Sequence, residues 1–303
     1  MALLTTAAPR IYGSKSIAAQ RRAVDAIMTG VLWMAAISII VLLAFFIGYI
    51  FYLGARAISW HFLVGPPSEA AGGGIGPEIF NSFYILILTL LFTTPIAMAG
   101  GIYLQEYARP GKFTNMVQFC AESLATIPSI VMGLFGLILF LNVLHWKFSA
   151  LGGALTLTLL NLPAMMRVTQ EALSGVPQSF REGSMALGAT KWQTIRRVVL
   201  TGAIASLTTG VILIAGRIFG ETAALIFTAG TSVSPGMSGY DFNPFHPAET
   251  LSVHLWYTHS ESLVPDADRV GNGSALVLLA MVLAFNAGAR LFGRVLSRRF
   301  TGK

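Results

Sequence analysis

Six long runs of apolar residues constrain the fold of this chain more than any other feature of its sequence. They cover residues 26–53, 79–104, 117–144, 148–166, 202–229 and 274–292. Each is about as long as, or longer than, the roughly 20 helical residues that cross a bilayer core. Of the 303 residues, 54% are hydrophobic and only 11% are charged, too few charges for a solvated surface. The sequence therefore predicts an all-α integral membrane protein with six transmembrane helices.

The basic residues indicate an orientation, because Lys and Arg near the ends of spans stay on the cytoplasmic side. With the N-terminus inside, all but four of the 20 Lys and Arg residues fall on the cytoplasmic side. Arg56, Lys147 and Arg269 fall on the outside, and Arg217 lies within an apolar run. We therefore expect cytoplasmic tails at 1–25 and 296–303. The net charge of +7 is spread over separate loops, which favours membrane insertion beside lipid and argues against a nucleic-acid partner.

The sequence predicts neither a cleaved signal, nor an internal disulfide, nor a zinc site. The run 26–53 is longer than the about 7 to 15 apolar residues of a cleaved signal, so we expect a retained first transmembrane helix. A single cysteine, Cys120, excludes an internal disulfide. His246, His254 and His259 share one loop, but their spacing matches no zinc-ligand pattern, so surface or docking histidines are favoured and no metal site is predicted.

The loop at 168–201 is the most informative polar segment. Two pairs have the spacing of a capping box, in which a hydroxyl and a later Glu or Gln close the start of a helix: Ser179 with Glu182, and Thr190 with Gln193. Gly188 lies between the pairs and suits the positive φ at the end of a helix. The pattern predicts two short helices joined by a tight turn.

This helical pair carries a small apolar face made by Met185, Leu187 and Trp192. Such a face is suited to a groove on a partner protein. The alternative is an amphipathic segment lying on lipid headgroups.

The same loop resembles the coupling motif of ABC importer permeases. The matching residues are Glu182, Gly188, Val198 and Leu200, whereas Gly183 and Ser184 replace the usual pair of alanines and Thr201 replaces the usual proline. Four stretches in family order then resemble phosphate-uptake permeases of the PstA type: 72–108, 124–136, 181–200 and 217–230. "GIYLQEYA" at 101–108 favours the PstA type over its PstC-type partner.

The resemblance implies a type I ABC importer permease fold over 72–295 in a bacterial inner membrane. Family members work with a sister permease of the PstC type, two ATPase subunits of the PstB type and an extracytoplasmic phosphate-binding protein of the PstS type. No G-x-x-x-x-G-K-S/T phosphate loop occurs in the chain. We therefore expect a non-catalytic subunit that binds no cofactor, with ATP and Mg²⁺ used by the partner ATPases.

The resemblance also assigns residues to the contact with the ATPases. On the coupling loop these residues are Glu182, Ala186, Leu187, Gly188, Ala189 and Trp192. We expect ATP-driven closure of the ATPases to move this loop as a rigid lever. The fourth and fifth spans would then swing with it in an alternating-access cycle.

Charged residues within the apolar runs are candidates for the substrate pathway, because charge in a bilayer is costly unless it faces a partner or a wet cavity. Arg217 and Glu221 are four residues apart in the fifth run, so we expect one helix face to carry both. Either they neutralise each other and lock the fifth span, or Arg217 offers its planar donors to phosphate while Glu221 holds it. Glu122 is a further pathway candidate.

Small residues and one proline suggest how the spans pack and bend. Gly216 and Gly220 have the small-xxx-small spacing of closely packed helices. Pro128 removes a backbone hydrogen bond inside the third run and should kink or break it. The bend is either a hinge or a static feature of the packing.

Three other functions stay open at this point. A permease for sulfate or molybdate would share the coupling loop. An ATP-independent carrier or channel would bind no ATPase. A membrane-embedded enzyme ranks below these, because the spans hold neither a nucleophile–base pair nor a clustered set of metal ligands.

Overall fold

The computed structural model describes residues 14–68, 71–233, 239–260 and 265–301 of a helical protein. The chain forms two compact units, divided between Tyr52 and Leu53. Within the described ranges the only β pairing is an isolated bridge between Val233 and Ala248. The predicted all-α fold is thereby confirmed.

The first unit is built on α1 (Ser14–Gly54), whose described side chains are almost all exposed. From Ala26 onward the helix is apolar on every side, as expected of a segment surrounded by lipid rather than by water. It includes the predicted helix 26–53. The predicted tail 1–25 is helical from Ser14 onward, and residues 1–13 lie outside the described part of the chain.

Within the described ranges the second unit contains eleven further α-helices. They are α2 (Trp60–Val64), α3 (Gly76–Ile102), α4 (Lys112–Ala125), α5 (Ser129–Gly136), α6 (Ala150–Ser174), α7 (Gln178–Ala186), α8 (Lys191–Thr194), α9 (Leu200–Phe219), α10 (Ala223–Ile226), α11 (Leu251–Ser260) and α12 (Ala267–Thr301). The predicted tail 296–303 continues α12 as far as Thr301, and residues 302–303 are outside the described ranges.

In the described part of the chain, five helical stretches are long and apolar enough to cross a membrane, and counting one bent pair as a single span gives up to six. The five are Gln20–Ala57, Gly76–Tyr107, Ala150–Ser174, Lys191–Phe219 and Ala267–Leu291. Two of them include π-helical turns, at Tyr103–Tyr107 after α3 and at Ile195–Val199 between α8 and α9. Five of the six predicted spans are therefore present, with altered ends, and the bent pair corresponds to the remaining one.

The third predicted span, 117–144, is not one straight helix. It consists of α4 and of α5 with its π-helical extension to Val143, and the two parts meet at an angle of 100°. The break falls at Pro128, which has no N–H to continue the helix and adopts ψ 140° before α5. The sequence correctly predicts a break there, whereas a hinge role for Pro128 stays a prediction.

The centre of the second unit is the packing of α3 against α6. Small and hydroxylated residues let the two helices approach closely: a Cβ at Gly101 would lie 2.6 Å from the Cβ of Thr169. Thr93 donates a hydrogen bond to Thr158 across the same contact at 3.2 Å. Small residues at contacts of this kind are typical of helix association in membranes. α9 packs on α6 and α12, and α10 packs on α5.

The fifth predicted span, 202–229, ends earlier than expected. α9 stops at Phe219, and Gly220 forms its C-terminal cap. The amides of Gly220 and Glu221 bond to the carbonyls of Arg217 and Ile218, both at 3.2 Å, which tightens the last turn. Thr222 then leaves the helical conformation before the short α10 begins.

Candidate functional site

The predicted helical pair between α6 and α9 is present, and we name residues 175–199 the coupling segment. Thr190 and Gln193 form both hydrogen bonds of a capping box, and Gly188 has a φ of +86°. The prediction of a capping box at Ser179 and Glu182 is wrong. Because α7 begins at Gln178 after Pro177, Ser179 lies inside the first turn of the helix rather than at its cap. A hydrogen bond of 2.9 Å between Ser184 and Thr194 ties α7 to the helix that follows.

A buried ion pair anchors the coupling segment to the end of the second span. Arg181 Nη2 lies 2.8 Å from Glu106 Oε1, and the two side chains are only 11% and 8% exposed. The guanidinium also donates to the carbonyls of Val176, at 2.6 Å, and Leu173, at 2.8 Å. A buried charge pair is tolerated when its remaining hydrogen-bonding groups are satisfied, as they are for this arginine.

Lys191 adds a second attachment to the same place. Its ammonium donates to the backbone carbonyl of Glu106 and lies 4.7 Å from the centre of the Tyr107 ring. Sequence reasoning missed this anchor, because Glu106 and Arg181 are 75 residues apart and no spacing rule connects them. The coupling segment is therefore fastened to the second span as well as to the helices that flank it.

Beyond this anchor, the coupling segment exposes large apolar side chains. Leu187 is 91% exposed, and Phe180, Met185 and Trp192 are also exposed. Of the other predicted contact residues, Glu182, Ala186 and Gly188 are exposed and Ala189 is half-buried. An apolar cluster on a fixed polar segment is typical of a surface that docks on another molecule.

The structure does not place Arg217 and Glu221 on one helix face, and this expectation is wrong. Arg217 is in the last turn of α9, whereas Glu221 follows the cap at Gly220 and accepts a hydrogen bond from the Ala224 amide at 3.4 Å. Among the described residues no ion pair joins them, and the guanidinium of Arg217 is exposed without a side-chain partner. Mutual neutralisation of the pair is therefore not seen.

The two glycines of the predicted packing motif have different surroundings. A Cβ at Gly216 would make ordinary van der Waals contact, at 3.4 Å, with Asn286 of α12. A Cβ at Gly220 would have no close neighbour from another helix in the described chain. Only Gly216 thus faces a helix contact, because α9 has ended before Gly220.

Glu122 lies on α4 and is exposed. In the parts of the chain that the structure describes, it has no ion pair or side-chain hydrogen bond, and nothing links it to Arg217. Its place on a substrate pathway stays a prediction.

A buried ionisable cluster lies at the opposite end of the second span from Glu106. It consists of Glu78 in the first turn of α3, Glu249 just before α11, and His254 in the first turn of α11. Burial alone would lower the pKa of His254, but a hydrogen bond to Glu249 and the charges of Glu249 and Glu78 raise it above the ordinary value. Sequence reasoning missed Glu78 as a neighbour of this histidine, because the two are far apart along the chain.

The other histidines of the same loop do not join the cluster. His246 pairs with Asp241, and His259 is exposed and contacts the carbonyl of Leu255. His246 and His259 therefore lie apart from the cluster around His254.

These features define a class of protein: a helical membrane subunit that presents an anchored docking segment to a partner. Residues 97–302 match the family model of the binding-protein-dependent transport system inner membrane component. The chain belongs to this family, and it is a permease of the ABC importer type. The sequence resemblance to such permeases is confirmed.

Individual relatives agree with the family. The chain is 42% identical over 291 residues to the probable ABC transporter permease protein YqgI of Bacillus subtilis (strain 168), covering 93% of this chain and 99% of YqgI. It is 34% identical over 231 residues to the phosphate transport system permease protein PstA of Haemophilus influenzae, covering 76% and 79%.

A solved structure supports the fold. The chain resembles a bacterial alginate ABC transporter crystallised with its alginate-bound periplasmic protein, with a TM-score of 0.64 and 15% identity over 96% of this chain and 99% of that one. At this identity the likeness shows the fold alone, and the fold is the predicted one for an importer permease.

Proposed function

We propose that this chain is the PstA-type permease subunit of an ATP-driven importer of inorganic phosphate. The observation that carries the proposal is its 34% identity to a PstA protein over about three quarters of both chains, 76% and 79%. The relative at 42% identity is named only as a probable ABC transporter permease. The choice of phosphate as the substrate therefore rests on the PstA relative.

The anchored coupling segment supports the link to ATP. We assign its exposed side chains, Leu187 and Trp192 above all, to a groove on an ATPase subunit of the PstB type, with Glu182, Ala186 and Ala189 at the margin of the contact. Two such ATPase subunits would use ATP and Mg²⁺, while this chain binds no nucleotide. A sister permease of the PstC type and a phosphate-binding protein of the PstS type complete the complex.

The distribution of basic residues supports an orientation with both termini in the cytoplasm. The coupling segment carries Arg196 and Arg197 beside Lys191, and the end of α12 carries further basic residues. In this orientation the Glu106 end of α3 faces the cytoplasm and the Glu78 end faces outward.

Arg217 is our candidate for contact with the anion. An exposed guanidinium next to an apolar helix needs a counter-charge, and Glu221 does not supply one in this conformation. The counter-charge is then either phosphate, whose oxygens match the planar donors of arginine, or an acidic residue of the sister permease. Both assignments place Arg217 at the surface shared by the two permeases.

The ion pair between Arg181 and Glu106 supports a lever mechanism. A push on α7 is transmitted to the second span through Arg181 and to α9 through the continuous helix that begins at Lys191. Movement of α9 would shift Arg217, at its far end, between outward and inward exposure. Pro128 is a candidate hinge in this movement.

The proposal is tested by reconstituting the chain with its co-purified partners in lipid vesicles and measuring ATP hydrolysis. We expect the binding protein loaded with phosphate to stimulate hydrolysis, and the same protein offered sulfate or molybdate to leave it at the basal rate. Equal stimulation by sulfate or molybdate would favour the other oxyanions. A chain that copurifies with no ATPase in mild detergent would indicate an ATP-independent carrier instead.

A further inference from the structure

The cluster of Glu78, Glu249 and His254 has the geometry of a ligand set. The three residues are 0%, 4% and 8% exposed, and one ligand atom from each lies within 4.8 Å of the others. His254 Nδ1 is 3.1 Å from Glu249 Oε1 and 3.8 Å from Glu78 Oε1. Two carboxylates and one imidazole thus converge on a small buried volume.

The carboxylate of Glu78 is the unusual member of the cluster. It is completely buried, and neither of its oxygens has a hydrogen-bond partner within the described chain. His254 Nδ1 lies 3.8 Å from Glu78 Oε1, beyond hydrogen-bond distance, and is already engaged with Glu249. Burying a carboxylate without donors is costly, and a cation directed at its free oxygens would offset that cost.

Hydrogen bonds hold the three residues in place around this volume. Asn81 Nδ2 donates to the carbonyl of Glu249 at 3.0 Å, and the Leu251 amide donates to Ser82 Oγ at 2.9 Å. Ser82 Oγ in turn donates to the carbonyl of Glu78 at 2.7 Å. The start of α11 is therefore fixed on the first turn of α3, and the ligand atoms are positioned by rigid helices.

The chemistry of the donors selects the kind of cation. When His254 gives up its proton to bind a metal, the two carboxylates carry two negative charges, which a divalent ion balances. Nitrogen and carboxylate oxygen together suit Zn²⁺ and related transition metals, whereas Mg²⁺ and Ca²⁺ prefer oxygen alone. Bond lengths of about 2.0–2.2 Å in a tetrahedral site put ligand atoms about 3.3 Å apart. The observed separations of 3.1 and 3.8 Å are close to this spacing.

We propose that Glu78, Glu249 and His254 bind a divalent transition-metal ion of the Zn²⁺ class at the outward end of the second span. The ion clamps α11 to α3, with water in the remaining coordination position. Ser252, next to this clamp, donates to the carbonyl of Glu221 at 2.8 Å, so the ion also steadies the chain that follows Arg217. The site is independent of which anion the transporter carries.

The test uses the full chain purified in detergent, stripped with EDTA and titrated with Co²⁺ and then Zn²⁺. We expect one Co²⁺ per chain with the visible absorption of a tetrahedral site, displaced by Zn²⁺. Glu78→Gln should weaken Zn²⁺ binding at least about tenfold, while His259→Asn, on the exposed part of the same helix, should bind like the wild type. Zn²⁺ should also raise the melting temperature of the wild type but not of Glu78→Gln.

Wild-type binding is decisive even if a variant fails to fold. A wild-type chain that binds neither ion stoichiometrically would overturn the proposal and leave His254 as an imidazolium held between two carboxylates. Equal loss of binding in His259→Asn would also overturn it, because the ion would then lie elsewhere. Phosphate transport does not enter these measurements, so their failure is distinct from a failure of the proposed function.

Discussion

Arg181 is the residue whose surroundings best explain how the coupling segment keeps its position. Its guanidinium satisfies one carboxylate and two backbone carbonyls at once, while Glu106 is buried against it. The two side chains are only 11% and 8% exposed. Removing either side chain of the pair is therefore costly, because the other would be left as an isolated buried charge.

Arg181→Ala should destabilise the chain by about 3–5 kcal/mol, because it leaves the Glu106 carboxylate buried without its counter-charge. The matched control is Arg167→Ala, which removes an exposed pair with Glu171 and should cost less than about 1 kcal/mol. Denaturant unfolding in detergent, followed by circular dichroism, measures both. Equal losses in the two variants would show that the Arg181 pair is not a buried anchor.

Arg217 is predicted to act in transport rather than in stability, since it is exposed and forms no ion pair among the described residues. Arg217→Gln should reduce ATP-driven phosphate uptake at least about tenfold with normal expression. Arg217→Lys should retain only part of the activity, because a lysine keeps the charge and loses the planar donors. Wild-type uptake by Arg217→Gln would contradict the assignment.

At the scale of elements, the contact between α3 and α6 depends on residues without bulky side chains. A methyl group at Gly101 would lie 2.6 Å from the Cβ of Thr169 and 2.8 Å from the carbonyl of Met166. Backbone and a branched side chain cannot move away as a flexible side chain could. The two spans must therefore separate if this glycine is replaced.

Gly101→Ala should lower the free energy of unfolding by about 1–3 kcal/mol through overpacking. Gly220→Ala is its matched control, because a Cβ there would meet only the carbonyl of Arg217 at 3.9 Å. Melting temperatures in detergent compare the two. Greater damage from Gly220→Ala would restore the packing role predicted for that glycine.

The coupling segment should contact the ATPase directly. In a Cys120→Ser background, a cysteine at position 186 should crosslink to an ATPase subunit and stop transport when the bond forms. The control is a cysteine at position 245, since Phe245 is exposed but lies beside the opposite end of α6. Failure to crosslink from position 186, or unimpaired transport after crosslinking, would count against the lever.

The sequence predicts the spans better than it predicts their ends or their long-range contacts. Hydropathy cannot detect the end of α9 at Phe219, because the residues around Ala223–Ile226 are as apolar as the helix before them. Hydropathy therefore places Glu221 on a helix that has already stopped. The Thr190 cap and the Gly188 turn were predictable because they depend on neighbours in sequence, whereas the pairing of Glu106 with Arg181 depends on the packing of α3 against α6.

At the scale of the whole molecule, polar contacts are placed at both ends of the second span. The Glu106 end binds the coupling segment, and the Glu78 end meets α11 through the buried cluster. Between them lies the tight contact with α6, which makes α3 a stiff connection. This arrangement suits a subunit that receives force at one face and changes access at the other.

The most direct test of the proposed function is uptake of labelled phosphate by vesicles that contain the complete complex and ATP. The account predicts accumulation that requires ATP and the phosphate-binding protein, is not competed by excess sulfate or molybdate, and is lost in Leu187→Asp. Accumulation without ATP, or equal competition by sulfate or molybdate, would contradict it.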